Sequence, residues 1–457
     1  MKWIIRAVAI GTAVFGICAG AARAGDTLYV GAQEALTTLQ AAIDAANDGD
    51  TIVVRDGTYT GPGNRDIDFR GKAVHLMSEN GPQSCIIDAD GAGRCFAFTR
   101  GEGNTSILQG FTITGGRGSG AGIYCEGSSP LIIGNVIMDN WALSTDGFHS
   151  GGGIYCERSA AVIVNNTIAL NGTKGTYIGC GSAYWGGYGG GICFSDSSST
   201  VANCIIFGNH ADEGEQIYGN ATVRYSNVEG EYLGEGNINA DPLFADATDF
   251  DFHLRSQYGR WTAAGWVIDE DNSPCIDAGD PIDDYRAEPG GNGERINIGA
   301  YGNTPQASKG GYLLSVSTSP ILGIHIGGDL PGVSDYKTTR QAREIIAFSA
   351  PLSAASQGNF YRFDLWVLNG LPLRLRQHDV LVLMDQDINL LATYSLAGDV
   401  NGDCTVNIID LIAIRNVLNK DPNDDDNWRA DVNDDGQINI LDMIAVRNNL
   451  NAQCGQQ

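Results

Sequence analysis

Two stretches near the end of the chain repeat one spacing of carboxylate and amide side chains. DVNGDCTVNIID begins at Asp399, and DVNDDGQINILD begins 32 residues later at Asp431. Oxygen-bearing side chains stand at positions 1, 3, 5, 9 and 12 of each copy, and position 7 offers a backbone carbonyl, which is the ligand pattern of a calcium loop. The predicted ligands of two calcium ions are Asp399, Asn401, Asp403, Thr405, Asn407 and Asp410, then Asp431, Asn433, Asp435, Gln437, Asn439 and Asp442.

Each calcium loop leads into an apolar-periodic segment, 411–418 or 443–450, that predicts a helix. No convincing helix precedes either loop, and both loops end in Asp where an EF-hand has a bidentate Glu. Duplicated loop–helix units of this kind resemble a type I dockerin, over residues 397–454. The resemblance implies that a cohesin-like domain of another protein is the binding partner.

Two cysteines and two repeated dipeptides depart from the simple loop pattern. Cys404 occupies position 6 of the first loop, where the second loop has Gly436, so we expect the first loop to be distorted or weaker. We also expect Cys404 to pair with Cys454 and clasp the two ends of the module. Arg415–Asn416 and Arg447–Asn448 recur at equivalent helix positions and either face a partner or are ordinary solvated residues.

The start of the chain and its charge bear on where the protein works. Lys2 and Arg6 precede an apolar stretch at 7–19, and Ala22-Arg23-Ala24 forms a cleavage site, so residues 1–24 are predicted to be a signal peptide. No later stretch has the roughly 18 consecutive apolar residues of a membrane span, and we expect a secreted protein, extracellular or at the cell surface. The net charge of -26 argues against nucleic acid or an anionic membrane as a partner.

Three segments between residues 120 and 209 share one internal phasing. In GAGIYCEGSSPLIIGNVIMDN, GGGIYCERSAAVIVNNTIALN and GGGICFSDSSSTVANCIIFGN, an asparagine falls 17 residues after the first isoleucine, at Asn140, Asn171 and Asn209. Each copy holds three short β-prone runs separated by turns, which predicts one turn of a three-sided solenoid with a shared core. We expect the asparagines to adopt left-handed turns and to hydrogen-bond to their counterparts in neighbouring coils.

These repeats, together with GDTIVVRDGTY, NADPLF at 239–244 and SPCIDAG at 273–279, resemble right-handed parallel β-helix proteins of the pectin-lyase-like superfamily. The resemblance covers residues 26–305, and the predicted domain is 25–305. It implies a fold but no single activity, because the superfamily includes lyases, hydrolases, adhesins and proteins of no known activity. The helical spacing of 36–46 predicts a helix that caps the open end of the solenoid.

Separated β runs after Gly310–Gly311 predict a small β-sandwich at 311–396. This module resembles PEGA-like modules of surface proteins through LSVSTSP at 314–320 and FDLW at 363–366. A spacer role, with Trp366 in the core, is the default expectation. The predicted fold class is therefore mainly β: a right-handed parallel β-helix, then a β-sandwich-like module, then a small α-helical domain with duplicated calcium loops.

The β-helix carries acidic residues that could serve a lyase. Such an enzyme needs a cation to neutralise a uronate carboxylate and an Arg or Lys as base. Glu126 and Glu157 occupy the same phase in successive coils, point outward and are expected about 4.8 Å apart, so they either share a calcium ion or remain solvated surface charge. Arg158 and Lys174 are the nearest bases by sequence.

The loops before the second and third repeats are rich in aromatic residues, which either stack on sugars or pack the loops over the solenoid. The acid-rich stretch 269–284 either binds calcium or, as we prefer, forms a turn at the end of the solenoid. Cys125 and Cys156 are expected to be inert core residues. No catalytic residue is identified, and the predicted substrate-binding residues are Glu126, Glu157, Trp141, His149, Lys174, Tyr184, Trp185 and Tyr188.

Two functions follow from this sequence. The first is a secreted β-helix protein that binds or cleaves an extracellular polysaccharide, is attached to a partner through its calcium-dependent dockerin, and if catalytic acts by β-elimination. Glycoside hydrolysis is less favoured, because the acidic trio and Arg-x-Lys of β-helix pectin hydrolases are missing from the sequence. The alternative is a non-catalytic cell-surface or adhesion protein whose β-helix is a rigid rod.

Overall fold

The computed structural model describes residues 25–143, 149–174, 176–178, 183–185, 187–290, 293, 295–340, 343–356, 358–373, 377–422, 425–433 and 435–454. The predicted signal peptide lies outside these residues. The chain divides into two compact units, residues 1–201 with 206–222 and residues 202–205 with 223–457. No helix among the described residues has the length and apolar character needed to cross a bilayer.

The first unit is a parallel β-helix in which successive coils add strands to the same three sheets. Sheet 1 contains Thr27–Val30, Thr51–Val54, His75–Ser78, Ile107–Gln109, Leu131–Ile133, Val162–Val164 and Thr200–Ala202. Sheet 2 contains Gly57–Tyr59, Cys85–Asp88, Thr112–Thr114, Val136–Met138, Thr167–Ala169 and Ile205–Phe207. Sheet 3 contains Ile67–Asp68, Phe96–Phe98, Ile123–Glu126, Ile154–Glu157, Ile192–Ser195 and Ile217–Tyr218. The three-sided solenoid predicted from the repeats is confirmed.

The register of sheet 3 follows the sequence repeat residue by residue. Ile123–Glu126 pairs in parallel with Ile154–Glu157, so that Ile faces Ile, Tyr faces Tyr, Cys faces Cys and Glu faces Glu. The Ile and Cys side chains are buried in the core, whereas the Tyr and Glu side chains are partly exposed on the outer surface. This alternation of buried and exposed side chains is expected of a strand that has one face in the core.

A ladder of buried asparagines runs beside sheet 2. Asn140 donates its backbone N–H to Oδ1 of Asn171 at 3.1 Å, and Asn171 donates likewise to Asn209 at 3.0 Å. The predicted hydrogen bonds between coils are therefore confirmed. The predicted left-handed backbone is wrong, because the positive φ belongs to the residue before each asparagine: Asp139, Leu170 and Gly208. A second ladder, from Asn135 to Asn166 at 2.9 Å, was not predicted.

Short elements close the first end and one corner of the β-helix. Helix α1 (Leu39–Ala45) buries Leu39, Ala42 and Ile43 and contacts the first strands of sheets 1 and 3, which is the position expected of a cap. At the corner between sheets 2 and 3, the loops contain Trp141–Ala142 paired with Gly172–Thr173, His149–Ser150 paired with Gly187–Tyr188, and a hairpin of Thr176–Ile178 with Ala183–Trp185.

The second unit begins with short strands and continues into a two-sheet module. The short strands are Thr222–Arg224, Asn227–Val228, Phe244–Asp246, Asp251–Leu254, Arg260–Thr262 and Gly265–Val267, with a 3-10 turn at Ala247–Asp249. One sheet of the module contains, in spatial order, Tyr336–Arg340, Tyr312–Ser319, Ile388–Leu396, Asn359–Leu368 and Ser353–Ser356, with Leu371–Pro372 beside Asn359–Leu368. The other contains Gly332–Val333, His325–Gly328, Ile345–Ser349 and Asp379–Leu383. Trp366 is buried between the sheets, as predicted.

The end of the second unit is a pair of loop–helix units. Helix α2 (Ile408–Val417) and helix α3 (Ile440–Asn448) contact each other and flank a 3-10 segment, Asp425–Ala430. Both helices begin three residues before the predicted segments. Asn407 and Asn439 explain the earlier start, because each caps its helix and forms a capping box with the aspartate three residues on.

Candidate functional site

The two predicted calcium loops have the same internal hydrogen bonds. At position 1 of the first loop, the Asp399 carboxylate accepts backbone N–H groups of positions 4, 5 and 6 at 2.8, 3.1 and 2.8 Å. At position 12, Asp410 accepts those of positions 2, 3 and 9 at 2.8, 3.1 and 2.8 Å. In the second loop, the Asp442 carboxylate accepts hydrogen bonds from the backbone N–H groups of the same three positions, at 2.7, 3.1 and 2.8 Å. These bonds hold each loop in a closed ring.

The chemistry of this donor set fits a calcium ion. Asp399 is 4% exposed and Asp410 is fully buried, and among the described residues neither forms an ion pair with a basic side chain. Burial raises the pKa of Asp399, and the nearby charge of Asp410 raises it further. The hydrogen bonds from the loop N–H groups lower this pKa but do not cancel the increase. Two carboxylates held together out of water call for a cation.

The side chains at positions 3 and 5 complete the ring. Asn401 contacts Asp403 at 2.8 Å in the first loop, and Asn433 contacts Asp435 at 2.9 Å in the second. In the described part of the chain, no three His, Cys, Asp or Glu side chains are grouped as a metal site on their own. The loops would instead combine carboxylates with asparagine oxygens and one backbone carbonyl, as a hard cation prefers.

A disulfide joins Cys404 to Cys454, as predicted, with Cα atoms 5.1 Å apart. Cys404 has a φ of 63°, in the left-handed region that favours the glycine found at this position in the second loop. Its N–H nevertheless donates to Asp399 at 2.8 Å, as Gly436 donates to Asp431 at 3.0 Å. The expected distortion of the first loop is therefore wrong for the described residues, and weaker calcium binding there stays a prediction.

On the β-helix, the two predicted glutamates meet a basic side chain. Arg158 donates to Glu126 at 2.6 Å and also pairs with Glu157, so the cation that the two carboxylates share is a guanidinium. The charge of Glu157, followed by that of Glu126, raises the pKa of Arg158. A general base must be unprotonated before it can accept a proton from the substrate. The two carboxylates favour the protonated form of Arg158. Arg158 is thus unsuited to the predicted role of base.

Tyrosines and a second arginine extend this polar surface along sheet 3. The rings of Tyr124 and Tyr155 stack with centroids 5.5 Å apart, and their hydroxyls donate to Glu126 at 3.1 Å and Glu157 at 3.3 Å. Arg94 lies 4.5 Å from the Tyr124 ring centroid. Burial, followed by the neighbouring glutamate, raises the pKa of both tyrosines to about 12, so both remain hydrogen-bond donors at neutral pH. Neither tyrosine was among the predicted substrate-binding residues, although strand alternation puts both on the same outer face as the predicted Glu126 and Glu157.

The remaining predicted substrate-binding residues lie in the corner loops. Tyr188 packs on Tyr218 of sheet 3 with ring centroids 4.7 Å apart, which joins the loop to the outer face of that sheet. Trp141 donates its indole N–H to Asp139 at 2.9 Å, and Lys174 is exposed. The side chains of His149, Tyr184 and Trp185 lie outside the described residues. The structure therefore brings together Glu126 and Glu157, and brings Tyr188 to the same sheet.

Three aspartates of the acid-rich stretch at 269–284 pair with arginines. Asp269 is held by Arg260 at 3.0 Å, and Asp284 by Arg286 at 2.7 Å. Asp280 contacts Arg224. These ion pairs support the preferred interpretation of the stretch as a structural turn. Cys125 and Cys156 are fully buried in the core, as expected of inert residues.

Two family models match the chain. Residues 397–451 match the Dockerin type I domain, and residues 108–279 match a family described as Disaggregatase related. The crystal structure of pectate lyase Pel9A aligns with 15% identity over 58% of this chain and 90% of that chain, with a TM-score of 0.29. No curated protein sequence matches the chain. The chain is a parallel β-helix protein. At its C-terminal end it carries a dockerin type I domain.

Proposed function

We propose that this is an extracellular protein whose β-helix binds a polysaccharide along the outer face of sheet 3, and whose dockerin, loaded with two calcium ions, attaches it to a cohesin-like partner. The observation that carries the polysaccharide half is the ladder of Tyr124, Tyr155, Glu126, Glu157 and Arg158 on successive coils. The class of ligand is proposed from the chemistry of this surface alone.

The ladder suits a repeating neutral sugar. The two coils follow one another at about 4.8 Å, so the Tyr and Glu groups of one coil recur one step further on the next, as hydroxyls recur along a polysaccharide. The coils on either side carry Ala97 and Cys193 at the tyrosine position, so this surface spans two coils. Arg158 and the two glutamates offer planar groups that accept or donate two hydrogen bonds side by side. With Arg94 included, the cluster carries no net formal charge, and a chain of net charge -26 repels polyanions. Neutral glycans are therefore favoured over uronates.

The non-catalytic form of this function is the better supported one. The nearest predicted base, Arg158, is paired with two carboxylates, which raise its pKa and so oppose its use as a base. The shared site for a calcium ion between Glu126 and Glu157 is taken by the same guanidinium. We therefore propose binding rather than β-elimination at this surface, and we expect uronate polysaccharides to yield no unsaturated product, measured by ultraviolet absorbance with calcium or with chelator.

The test is a glycan-binding experiment with a matched control. We expect Arg158→Ala to weaken binding of the full-length protein to its glycan about tenfold, since hydrogen bonds to a charged group contribute about 1.5–3 kcal/mol. Arg55→Ala is the control, because Arg55 also bridges two glutamates, Glu34 and Glu79, but beside sheet 1. Equal binding by Arg158→Ala and the unaltered protein, or equal losses in both variants, would contradict the proposed surface.

The partner half of the proposal rests on a repeated apolar surface. Ile408 and Ile440 are 65% and 62% exposed, and Ile409 and Leu441 are 53% and 52% exposed. The next helical turn repeats the match with Ile412 and Ile444. Exposed apolar side chains grouped on one helix end indicate a protein interface. Here there are two equivalent groups, one on each helix, so either helix can contact a partner.

Because the two groups are equivalent, only a double substitution should abolish docking. We expect Ile409→Asp alone to leave partner binding within a few-fold of the unaltered protein. The pair Ile409→Asp and Leu441→Asp should lose about 2 kcal/mol or more, the size of an interface hot spot. Calorimetric titration with a cohesin domain in calcium checks both. Full binding by the double variant would place the interface elsewhere on the module.

A further inference from the structure

One strand of the β-sandwich, Asn359–Leu368, touches the dockerin at three places. Arg362 donates from Nη1 to the backbone carbonyl of Asp431 at 2.6 Å. Asp364 pairs with Arg429 at 3.4 Å. Asn359 donates to the carbonyl of Gln453 at 2.8 Å. We call this segment the contact strand. Its three partners are Arg429 in the segment between the loops, Asp431 at the start of the second loop and Gln453 near the end of the module.

The contact made by Arg362 falls on a predicted calcium ligand. Asp431 occupies position 1 of the second loop, is 2% exposed, and has its carboxylate turned to the loop N–H groups. A guanidinium on its carbonyl fixes the backbone from which that carboxylate projects. A ligand already held in place loses less conformational freedom when the ion arrives, and this raises the affinity for the ion.

The contact made by Asp364 reaches the first loop through Arg429. Asp364 is buried, accepts the hydroxyl of Ser395 at 2.6 Å and pairs with the Arg429 guanidinium. That guanidinium lies directly against Gly402 at position 4 of the first loop, in the space that a Cβ there would occupy. The contact strand therefore supports both loops: the second directly, and the first through one arginine.

The connection between the two modules is short and packed. Only Ala397 and Gly398 separate the end of the strand Ile388–Leu396 from Asp399, and the N–H of Asp399 donates back to the carbonyl of Leu396 at 2.9 Å. Ala397 donates to the carbonyl of Phe360 in the contact strand at 2.8 Å. Buried side chains form one continuous cluster from Leu314 in the sandwich to Val446 in helix α3. A flexible tether would leave each module with a separate core.

From these contacts we infer that the β-sandwich is a companion of the dockerin rather than a spacer: it holds both loops in their ion-binding geometry, so that calcium binding and packing of the sandwich against the dockerin strengthen each other. The inference rests on the proposed binding of calcium by the two loops. Linkage is reciprocal: loss of the calcium ions loosens the contact between sandwich and dockerin, and loss of that contact lowers the affinity for calcium. Calcium then decides whether the docking module is rigidly joined to the chain.

The first test measures calcium affinity in the full-length protein. We expect Arg362→Ala to bind calcium about tenfold more weakly by competition with a chromophoric chelator, within the range usual for coupled sites. Arg340→Ala is the matched control, because Arg340 forms its ion pair with Glu344 inside the same sandwich and contacts neither loop in the described residues. Equal affinities in both variants and the unaltered protein would overturn the inference.

A second test needs no variant and holds even where Arg362→Ala fails to fold. We expect calcium to increase the protection of backbone amides in the contact strand against hydrogen exchange, as well as in 399–450. Protection gained only within 399–450 would overturn the coupling while leaving calcium binding intact. Absence of any calcium binding by the full-length protein would overturn the proposed calcium function and this inference together.

Discussion

Removing calcium with a chelator is expected to melt helices α2 and α3, while the parallel β-helix stays folded. Asp410 and Asp442 are fully buried, and among the described residues neither forms an ion pair with a basic side chain, so the loops without their ions would hold uncompensated charge. Breaking such a buried pair by removing one partner costs about 3–5 kcal/mol. The disulfide Cys404–Cys454 holds the ends of the module together but cannot neutralise that charge.

Variants separate this effect from a general response to the chelator. Asp410→Ala with Asp442→Ala should reproduce the apo behaviour in saturating calcium, because each change removes the last ligand of its loop and the capping box of the following helix. Asp379→Ala, an exposed acid in the sandwich, should melt like the unaltered protein. Helical circular dichroism and thermal unfolding report the result. An apo protein that keeps both helices would show that the loops fold without the ion.

The parts of this molecule predicted correctly from sequence are those whose signal repeats. The dockerin module could be predicted because two loop–helix units repeat one spacing of polar side chains over 12 residues, whereas the binding of calcium by those side chains stays a prediction. The coils likewise repeat Ile, Tyr, Cys and Glu at one phase, so the register Ile123 to Ile154 follows once stacking is assumed. The disulfide could be predicted because Cys404 and Cys454 lie at the two ends of one small module.

The errors arose where the outcome depends on a long-range contact or a backbone angle that the repeat pattern does not specify. Arg158 directly follows Glu157, yet its reach back across the coil to Glu126 could not be read from position alone. In the asparagine ladder, the residue type was read correctly but the left-handed φ was assigned one residue too late. The contact of Arg362 with Asp431 joins residues 69 apart in different modules, and no periodicity indicates it.

Replacing the central rung of the asparagine ladder is expected to cost the β-helix about 3–5 kcal/mol of stability. The Asn171 side chain accepts two hydrogen bonds from Asn140 and donates to the carbonyls of Ile137 and Ala169 at 2.8 and 3.1 Å. Asn171→Ala leaves all of these buried groups without their hydrogen-bond partner, and each buried group left unsatisfied costs about 1–3 kcal/mol. The loss should be cooperative, because the Asn171 side-chain amide also donates to Oδ1 of Asn209 at 3.0 Å, and the variant removes this bond too.

The measurement is denaturant unfolding of the full-length protein, with hydrogen exchange to locate the change. Asn80→Ala is the control: Asn80 binds Asp56 at the surface of the same β-helix, where water replaces a lost partner and the cost should stay near 0.5 kcal/mol. Faster exchange should spread from 171 to the coils on both sides, since each rung supports the next. A loss confined to one coil, or a cost equal to that of Asn80→Ala, would mean that side-chain packing, rather than the ladder, holds successive coils in register.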